Sequence, residues 1–197
     1  MEEVSENKAI VLVGLKHCGK SSVARQLAPF IGKTVIDTDE CIARLVTPLL
    51  PQPTSDTPLN YADTVRLYFR TFGQEAFKDQ EADVCEYLSK NERFSKTIIA
   101  TGGGTMENQR AISSLARNSL VLFLDVPEDV LWTRVSRGGI PPFLETENPR
   151  ESFHQLFVRR RSIAQHIAHC TVATGQEPIE YVVALVLKQI KEQTHAR

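Results

Sequence analysis

The sequence has few cysteines, one tryptophan and no long hydrophobic run. Its four cysteines stand far apart and form no C-x-x-C pair: Cys18, Cys41, Cys85 and Cys170. This scatter is typical of reduced thiols, and it predicts a cytoplasmic protein. No apolar stretch approaches the ~20 residues that a membrane-spanning helix needs. Residues 1–8 are polar and acidic, unlike a signal peptide. We therefore expect no membrane partner.

The sequence also lacks an excess of either charge. Its 23 lysines and arginines nearly balance 24 aspartates and glutamates. Nucleic-acid binding is not expected, because it usually requires a clustered basic face, and the run at 159–161 is too short to form one. Apolar residues make up 42% of the 197 residues, as in ordinary globular proteins. We expect one domain over residues 1–197, acting as a monomer.

Short apolar runs alternate with helical patterns along the chain. Five runs predict buried strands, at 9–13, 34–36, 97–100, 120–124 and 171–173. Helical patterns begin near residues 20, 39, 108, 127 and 177, and another contains Val65, Tyr68 and Phe69. Strands that alternate with helices predict βαβ units, hence a mostly parallel sheet with helices on both faces. The predicted fold class is a three-layer α/β/α sandwich.

Two proline-rich or glycine-rich segments interrupt this alternation. Residues 47–60 contain four prolines, too many for the interior of a helix. Residues 136–150 contain two adjacent glycines and three prolines. Long loops in a compact domain are often lids or binding loops, with disordered insertions as the alternative.

A phosphate-binding motif follows the first strand. The pattern G-x-x-x-x-G-K-[ST] is met by Gly14, Leu15, Lys16, His17, Cys18, Gly19, Lys20 and Ser21, and Ser22 follows. The strand before it and the helix after it are the context this P-loop requires. Its amide groups wrap a nucleotide's phosphates, its lysine reaches the β- and γ-phosphates, and its serine ligates Mg²⁺. His17 and Cys18 stand where small residues are common, and their side chains could point outward without disturbing the loop.

Two aspartates follow the second strand, at the sheet edge where ligands bind in such folds. Asp37 and Asp39 are two residues apart, so in extended chain they share a face and serve one site. The alternative is that Asp39 only caps the helix that follows.

The P-loop, the D-T-D string at 37–39 and the glycine triplet at 102–104 together resemble shikimate kinase. The resemblance extends from about residue 10 to residue 173. It implies a nucleoside-monophosphate-kinase-like fold with a five-stranded parallel sheet in the order 2-3-1-4-5. It also implies transfer of the γ-phosphoryl group of ATP, with Mg²⁺, to a hydroxyl of shikimate.

The resemblance assigns roles to residues of this chain. Ser21 and Asp37 would serve the metal, Asp39 would hold the acceptor hydroxyl and accept its proton, and Lys20 would be catalytic. Arg134 would flank the adenine. Substrate would be bound within an acceptor segment at about 39–90 and beyond it, by Asp39, Lys78, Glu81, Gly102, Gly103, Gly104 and Arg160.

Within that set, Lys78 and Arg160 would bind the substrate carboxylate, and Glu81 would steady Lys78. The family has an arginine where this chain has Lys78, and a lysine binds a carboxylate less specifically because it is a point charge. Arg159 and Arg161 leave the choice of Arg160 uncertain by one residue.

The resemblance fails in the lid loop at 136–150. The family's R-P-L-L string is here Pro141-Pro142-Phe143-Leu144, so its phosphate-contacting arginine is missing. Arg137 or Arg150 could take its place. Two alternatives stay open: a gluconate-kinase-like enzyme acting on another hydroxy acid, and a binding protein that no longer catalyses.

Overall fold

A five-stranded parallel sheet forms the centre of the protein. The computed structural model describes residues 8–51, 59–137, 144 and 146–195. The strands are β1 (Ala9–Val13), β2 (Thr34–Asp37), β3 (Thr97–Ala100), β4 (Ser119–Asp125) and β5 (Cys170–Ala173). They lie in the order β2-β3-β1-β4-β5, and every pairing is parallel. The predicted sheet and its order are confirmed.

Alternate residues of β1 enter two apolar clusters on opposite faces of the sheet. Ile10 and Leu12 belong to one cluster, and Ala9, Val11 and Val13 belong to the other. All five are almost completely buried. A strand covered on both faces must be apolar throughout, which is why this run lacks the polar alternation of an exposed sheet. The P-loop therefore follows directly on a strand that lies at the centre of the core.

Helices cover both faces, as the sequence predicts. They are α1 (Lys20–Ile31), α2 (Thr38–Val46), α3 (Tyr61–Ser89), α4 (Gln109–Ala116), α5 (Glu128–Arg137), α6 (Pro149–Ile167) and α7 (Ile179–His195). Buried residues of α1, α5 and α7 pack in the cluster of Ile10, and those of α2, α3 and α4 pack in the cluster of Val11. In α3 the helical conformation breaks at Gly73, where φ is 83°.

The two predicted loops are shorter than expected at their described ends. Residues 136–137 complete α5, and α6 already begins at Pro149, a position that suits proline because the first helical amide has no partner within the helix. Thr47–Leu49 forms a 3₁₀ turn, and Asn60 caps α3. The remaining parts of these loops, 52–58 and 138–143, lie outside the described residues. No helix in the described ranges is long and apolar enough to cross a bilayer.

Candidate active site

The P-loop curls around the ammonium group of Lys20. Lys20 is the first residue of α1 and is buried. Its Nζ donates hydrogen bonds to the carbonyl oxygens of Gly14, at 2.8 Å, and Leu15, at 2.9 Å. Gly19, with φ 99°, forms the left-handed junction to the helix. The loop, its ammonium and the N-terminus of α1 thus form one positively polarised concavity of the kind that binds phosphate.

The side chain of His17 is exposed, whereas that of Cys18 points into the protein instead of outward. Cys18 is buried, and its Sγ lies 3.5 Å from Lys20 Nζ. A Cβ on Gly14 would stand 2.7 Å from that sulfur. The small, apolar thiol therefore fills the inside of the loop, in space that the glycine leaves open.

Ser21 and Asp37 are in direct contact. Asp37 Oδ2 accepts a hydrogen bond from Ser21 Oγ at 2.5 Å, and Asp37 Oδ1 accepts one from the Asp39 amide at 3.0 Å. The residue that caps α2 is therefore Asp37, not Asp39 as in the alternative considered above. A hydroxyl and a carboxylate beside a phosphate loop offer the few oxygen ligands that Mg²⁺ takes from protein when phosphates supply others.

Asp39 lies between the P-loop and the glycine triplet. Its Oδ1 would be 2.7 Å from a Cβ on Gly102. Burial and the neighbouring Asp37 carboxylate raise the pKa of Asp39, while the ammonium groups of Lys20 and Lys16 oppose that rise. An ionised Asp39 is thus costly here, and it is a strong acceptor for a hydroxyl proton.

The three glycines allow three close approaches rather than a left-handed turn, since none of them has the positive φ seen at Gly14 and Gly19. Gly102 N donates to Thr38 Oγ1 at 2.9 Å. A Cβ on Gly103 would meet the backbone nitrogen of Lys16 at 2.7 Å. A Cβ on Gly104 would stand 3.0 Å from Arg160 Nη2. A side chain is excluded most firmly at Gly103, which lies against the backbone of the P-loop, whereas at Gly102 and Gly104 it would displace the side-chain ends of Asp39 and Arg160.

A cavity of about 340 Å³ opens beside the triplet, between α3 and α6. Its apolar walls include Val65, Phe69, Phe77 and Leu156. Its charged lining includes Lys16, Asp39, Arg66, Lys78, Glu81 and Arg160. Apolar walls with a few convergent charges are typical of a site for a small polar metabolite.

Arg160 is the most enclosed of the three consecutive arginines. Its Nε donates to Glu107 Oε2 at 2.7 Å, and its Nη1 donates to the Gly103 carbonyl oxygen at 3.1 Å. Arg159 shares Glu107, whereas Arg161 pairs with Asp125 instead. Burial opposes ionisation of Glu107, but the two guanidinium groups hold its pKa below its usual range. Arg159 and Arg160 both line the cavity, and Arg160 is the more enclosed of the two, with its side chain 12% exposed against 59%.

Glu81 does not steady Lys78, contrary to the expectation from the resemblance. Its carboxylate accepts hydrogen bonds from Thr105 Oγ1 at 2.6 Å and from Asn108 Nδ2 at 3.0 Å. Lys78 instead pairs with Glu75, one turn away on the same helix, at 3.3 Å. Burial raises the pKa of Glu81, and its two hydrogen bonds oppose the rise. Both residues still line the cavity.

Two of the three arginines considered for the nucleotide side have defined partners. Arg134 donates to the carbonyl oxygens of His17, at 3.2 Å, and Gly175, at 2.5 Å, and so joins α5 to the P-loop. Arg150 pairs with Glu128 at 2.6 Å and lies over the ring of Trp132. Arg137 is exposed at the end of α5. Pro141 lies outside the described residues.

Sequence reasoning missed Arg66, Lys16 and Asn108 as parts of the acceptor side. Arg66 and Lys16 line the cavity, and burial together with the nearby Arg66 lowers the pKa of Lys16. Asn108 donates to both Glu81 and the Lys78 carbonyl oxygen. The only sequence signal for Asn108 was its position just before a helical pattern, where asparagine often caps a helix. Lys16 and Arg66 stand at unspecified (x) positions of their motifs, so the sequence gave no signal for a role of these two cations.

The fold and the site together define a class. A P-loop, a serine–aspartate pair and a separate charged cavity meet at the carboxyl edge of a parallel sheet. This arrangement is typical of P-loop kinases that phosphorylate small molecules.

Comparison with known proteins places the chain within that class. The family model described as shikimate kinase matches residues 59–191. A shikimate kinase of Rhizobium meliloti (strain 1021) is 30% identical over 187 residues, covering 95% of this chain and 88% of the relative. One from Vibrio parahaemolyticus is 27% identical over 190 residues, covering 96% of this chain and 100% of the relative. The chain belongs to the shikimate kinase family, and it is an ATP-dependent kinase.

Solved structures agree with this assignment. A shikimate kinase from Acinetobacter baumannii, solved in complex with shikimate, has a TM-score of 0.81 and 25% identity, with 97% of each chain covered. A shikimate kinase from Aquifex aeolicus has a TM-score of 0.70 at 23% identity, covering 94% of this chain and 98% of that one, and it supports the fold.

Proposed function

We propose that the protein transfers the γ-phosphoryl group of ATP to a hydroxyl of shikimate, forming shikimate 3-phosphate and ADP for aromatic amino-acid biosynthesis. The observation that carries this proposal is the position of the charged cavity. It adjoins the P-loop at Lys16 and α2 at Asp39, and it has the cations Lys78 and Arg160 on its lining. A substrate that carries hydroxyl groups and a carboxylate would place a hydroxyl against Asp39 and its carboxylate against Lys78 and Arg160.

On the nucleotide side, Lys20 and the loop amides would bind the β- and γ-phosphates. Ser21 and Asp37 would hold Mg²⁺, which neutralises phosphate charge when it is bound. The contact between Ser21 Oγ and Asp37 supports this assignment, because it already brings two oxygen ligands together beside the loop. Arg134 would close the adenine side, next to His17 and Gly175.

On the acceptor side, Asp39 would orient the reacting hydroxyl and accept its proton. Its raised pKa supports a role as the base, because the ionised form then accepts a proton more readily than an ordinary aspartate does. Gly102, Gly103 and Gly104 would lie against the substrate ring, and Lys78 and Arg160 would bind its carboxylate. Glu81 would act through Thr105 and Asn108, by holding α3 against the segment after β3.

The finer properties are proposals as well. We propose Mg²⁺ as the divalent cation, and a monomeric, cytoplasmic enzyme with no nucleic-acid partner. The whole of 1–197 would be one kinase domain, with 39–90 binding the acceptor and 136–150 serving as its lid. The lining of the cavity by α3 supports the acceptor segment.

A coupled ADP-release assay with shikimate at saturating MgATP tests the activity. We expect turnover by the wild type, and loss of at least about 10²–10³-fold in kcat for Lys20→Ala, because a preorganised phosphate-binding charge is removed. Lys188→Ala, which removes an exposed lysine of α7, is the matched control and should retain activity.

Three results would contradict the proposal. Faster turnover of gluconate or another hydroxy acid would reassign the acceptor. Intact MgATP binding by calorimetry with no turnover of any acceptor would favour a non-catalytic role. Full activity of Lys20→Ala would remove the P-loop from the reaction.

A further inference from the structure

Arg66 is a second basic residue of α3 that lines the acceptor cavity, in addition to Lys78. It lies near the start of the helix, and its Nη1 is 3.3 Å from Asp63 Oδ1. The side chain is only 28% exposed. An ion pair with a neighbour one turn away limits the directions that a guanidinium can take. Arg66 is thus held at the cavity wall.

The guanidinium of Arg66 is close enough to the P-loop to act on its charges. Burial lowers the pKa of both Lys16 and His17, two consecutive residues of the loop, and the positive charge of Arg66 adds to that lowering. The charged groups that act on Arg160 are instead Glu107, Arg159 and Glu81. Arg66 lines the cavity together with Lys16 of the P-loop and Asp39, so it lies within reach of the side where a phosphoryl group would be transferred.

Phosphoryl transfer needs positive charge at the P-loop end. As the bond from the γ-phosphorus to the bridging oxygen of ADP breaks and the bond to the acceptor oxygen forms, negative charge spreads over three equatorial oxygens. The hydroxyl proton passes to Asp39. Lys20 reaches the phosphates from the P-loop side only. Arg150 is paired with Glu128, and Arg134 bonds two backbone carbonyl oxygens, so neither is directed into the cavity.

We propose that Arg66 contacts the transferring phosphoryl group from the acceptor side and stabilises its charge in the transition state. The proposal rests on the proposed kinase function. A guanidinium can donate two parallel hydrogen bonds to phosphate oxygens, and a fixed position at the cavity wall lets it do so without rearrangement.

Steady-state kinetics of Arg66→Met with shikimate and MgATP test the proposal. We expect kcat to fall by about 10³-fold, with the KM for shikimate changed by less than about threefold, because the contact is made in the transition state. Arg66→Lys should recover part of kcat, since it keeps the charge and loses the two-pronged geometry. Arg70→Met, an exposed arginine one turn further along α3, is the matched control and should behave as the wild type.

A binding measurement separates a phosphate contact from a structural role. Calorimetry should show that Arg66→Met binds MgADP with unchanged affinity, and that it binds MgADP with aluminium fluoride and shikimate at least tenfold more weakly than the wild type. Thermal unfolding of each variant checks the fold, and Arg66→Lys serves if Arg66→Met does not fold.

The outcomes distinguish this proposal from the function on which it rests. No turnover by the wild type would overturn the kinase activity itself. An active wild type with unchanged kcat in Arg66→Met would overturn only the role of Arg66. A raised KM with unchanged kcat would show that Arg66 binds the acceptor in the ground state, which also contradicts the proposal.

Discussion

Asp37 and Asp39 show how two carboxylates only two residues apart acquire different properties. Asp37 accepts hydrogen bonds from Ser21 and from the first turn of α2, so both of its oxygens are satisfied. Asp39 faces the cavity, where burial and Asp37 raise its pKa. One residue is therefore bound into the fold, and the other keeps its acceptor capacity for a substrate.

Asp39→Asn should abolish activity and stabilise the protein at neutral pH. The native pKa of Asp39 is raised, so the native state binds its proton more tightly than the unfolded state does. Ionisation of Asp39 therefore lowers the free energy of unfolding as pH rises through the window between the unfolded and native pKa values. The amide cannot ionise, so the gain in stability should be full above that window and absent below it. We expect kcat to fall by at least about 10²-fold.

Thermal unfolding from pH 3 to pH 8 measures this effect. Glu92→Gln, at an exposed turn, is the control and should not alter the pH dependence. A variant Asp39→Asn that is less stable than the wild type at pH 8 would show that the native state favours the ionised form.

Helix α3 is joined to the segment after β3 by a buried polar network. Glu81 on α3 accepts from Thr105 and Asn108, and Asn108 also donates to the Lys78 carbonyl oxygen. The same asparagine caps α4 by accepting from the Ala111 amide at 3.3 Å. One side chain therefore joins α3, which lines the acceptor cavity, to the start of α4.

Asn108→Ala should lower the free energy of unfolding by more than the loss of a helix cap alone would. Asn60→Ala is the matched control, because Asn60 caps α3 from an exposed position by accepting from Asp63. We expect the control to lose roughly 0.5–2 kcal/mol. Asn108→Ala should lose about 1–3 kcal/mol more, since Glu81 is left with an unsatisfied buried oxygen.

Urea unfolding compares the two variants. The KM for shikimate should rise in Asn108→Ala and stay constant in Asn60→Ala, because Asn108 donates to Glu81 at the cavity and Asn60 bonds to Asp63 instead. Equal losses of stability in the two would mean that the network contributes nothing beyond the cap.

At the scale of the whole molecule, the sheet order places the P-loop at the strand where the order reverses. β2 and β3 lie on one side of β1, and β4 and β5 lie on the other. β1 lies between β3 and β4, so the P-loop at its end has the glycine triplet on one side and the start of α5 on the other. Such a crevice at the carboxyl edge is the usual ligand site of open parallel sheets. Nucleotide bound there touches elements from both halves of the chain.

MgADP should therefore stabilise the entire fold. At a free concentration about 100 times its Kd, we expect a gain of about 2.7 kcal/mol. For a domain of this size that gain corresponds to roughly 5–11 °C in Tm. Excess EDTA with ADP should reduce the shift, because Ser21 and Asp37 would then lack the cation that links them to the phosphates.

Differential scanning fluorimetry with and without the chelator measures both shifts. Lys20→Ala should show little shift in either condition. Equal shifts for the wild type with and without EDTA would contradict the assignment of Ser21 and Asp37 to the metal.

Local patterns identified the strands, most helices and the P-loop, because each is encoded within a short stretch of chain. The strand run at β1 and the motif that follows it are adjacent in sequence, so their relation needed no long-range information. The D-T-D string and the glycine triplet were located in the same way, and their assigned roles stay predictions. The expected Glu81–Lys78 contact was wrong because Lys78 finds Glu75 on its own helix, while Glu81 meets partners far along the chain.

The amino-acid order alone determined the α/β sandwich, its phosphate loop and the residues at the strand ends, since hydrophobic period and glycine spacing are local properties. Only the tertiary structure decided which cations share the acceptor cavity. Arg66, Lys16 and Arg160 come from three elements that meet through packing of α3 and α6 around the end of β3. Such meetings depend on the burial of apolar faces far apart in sequence, and no short motif records them.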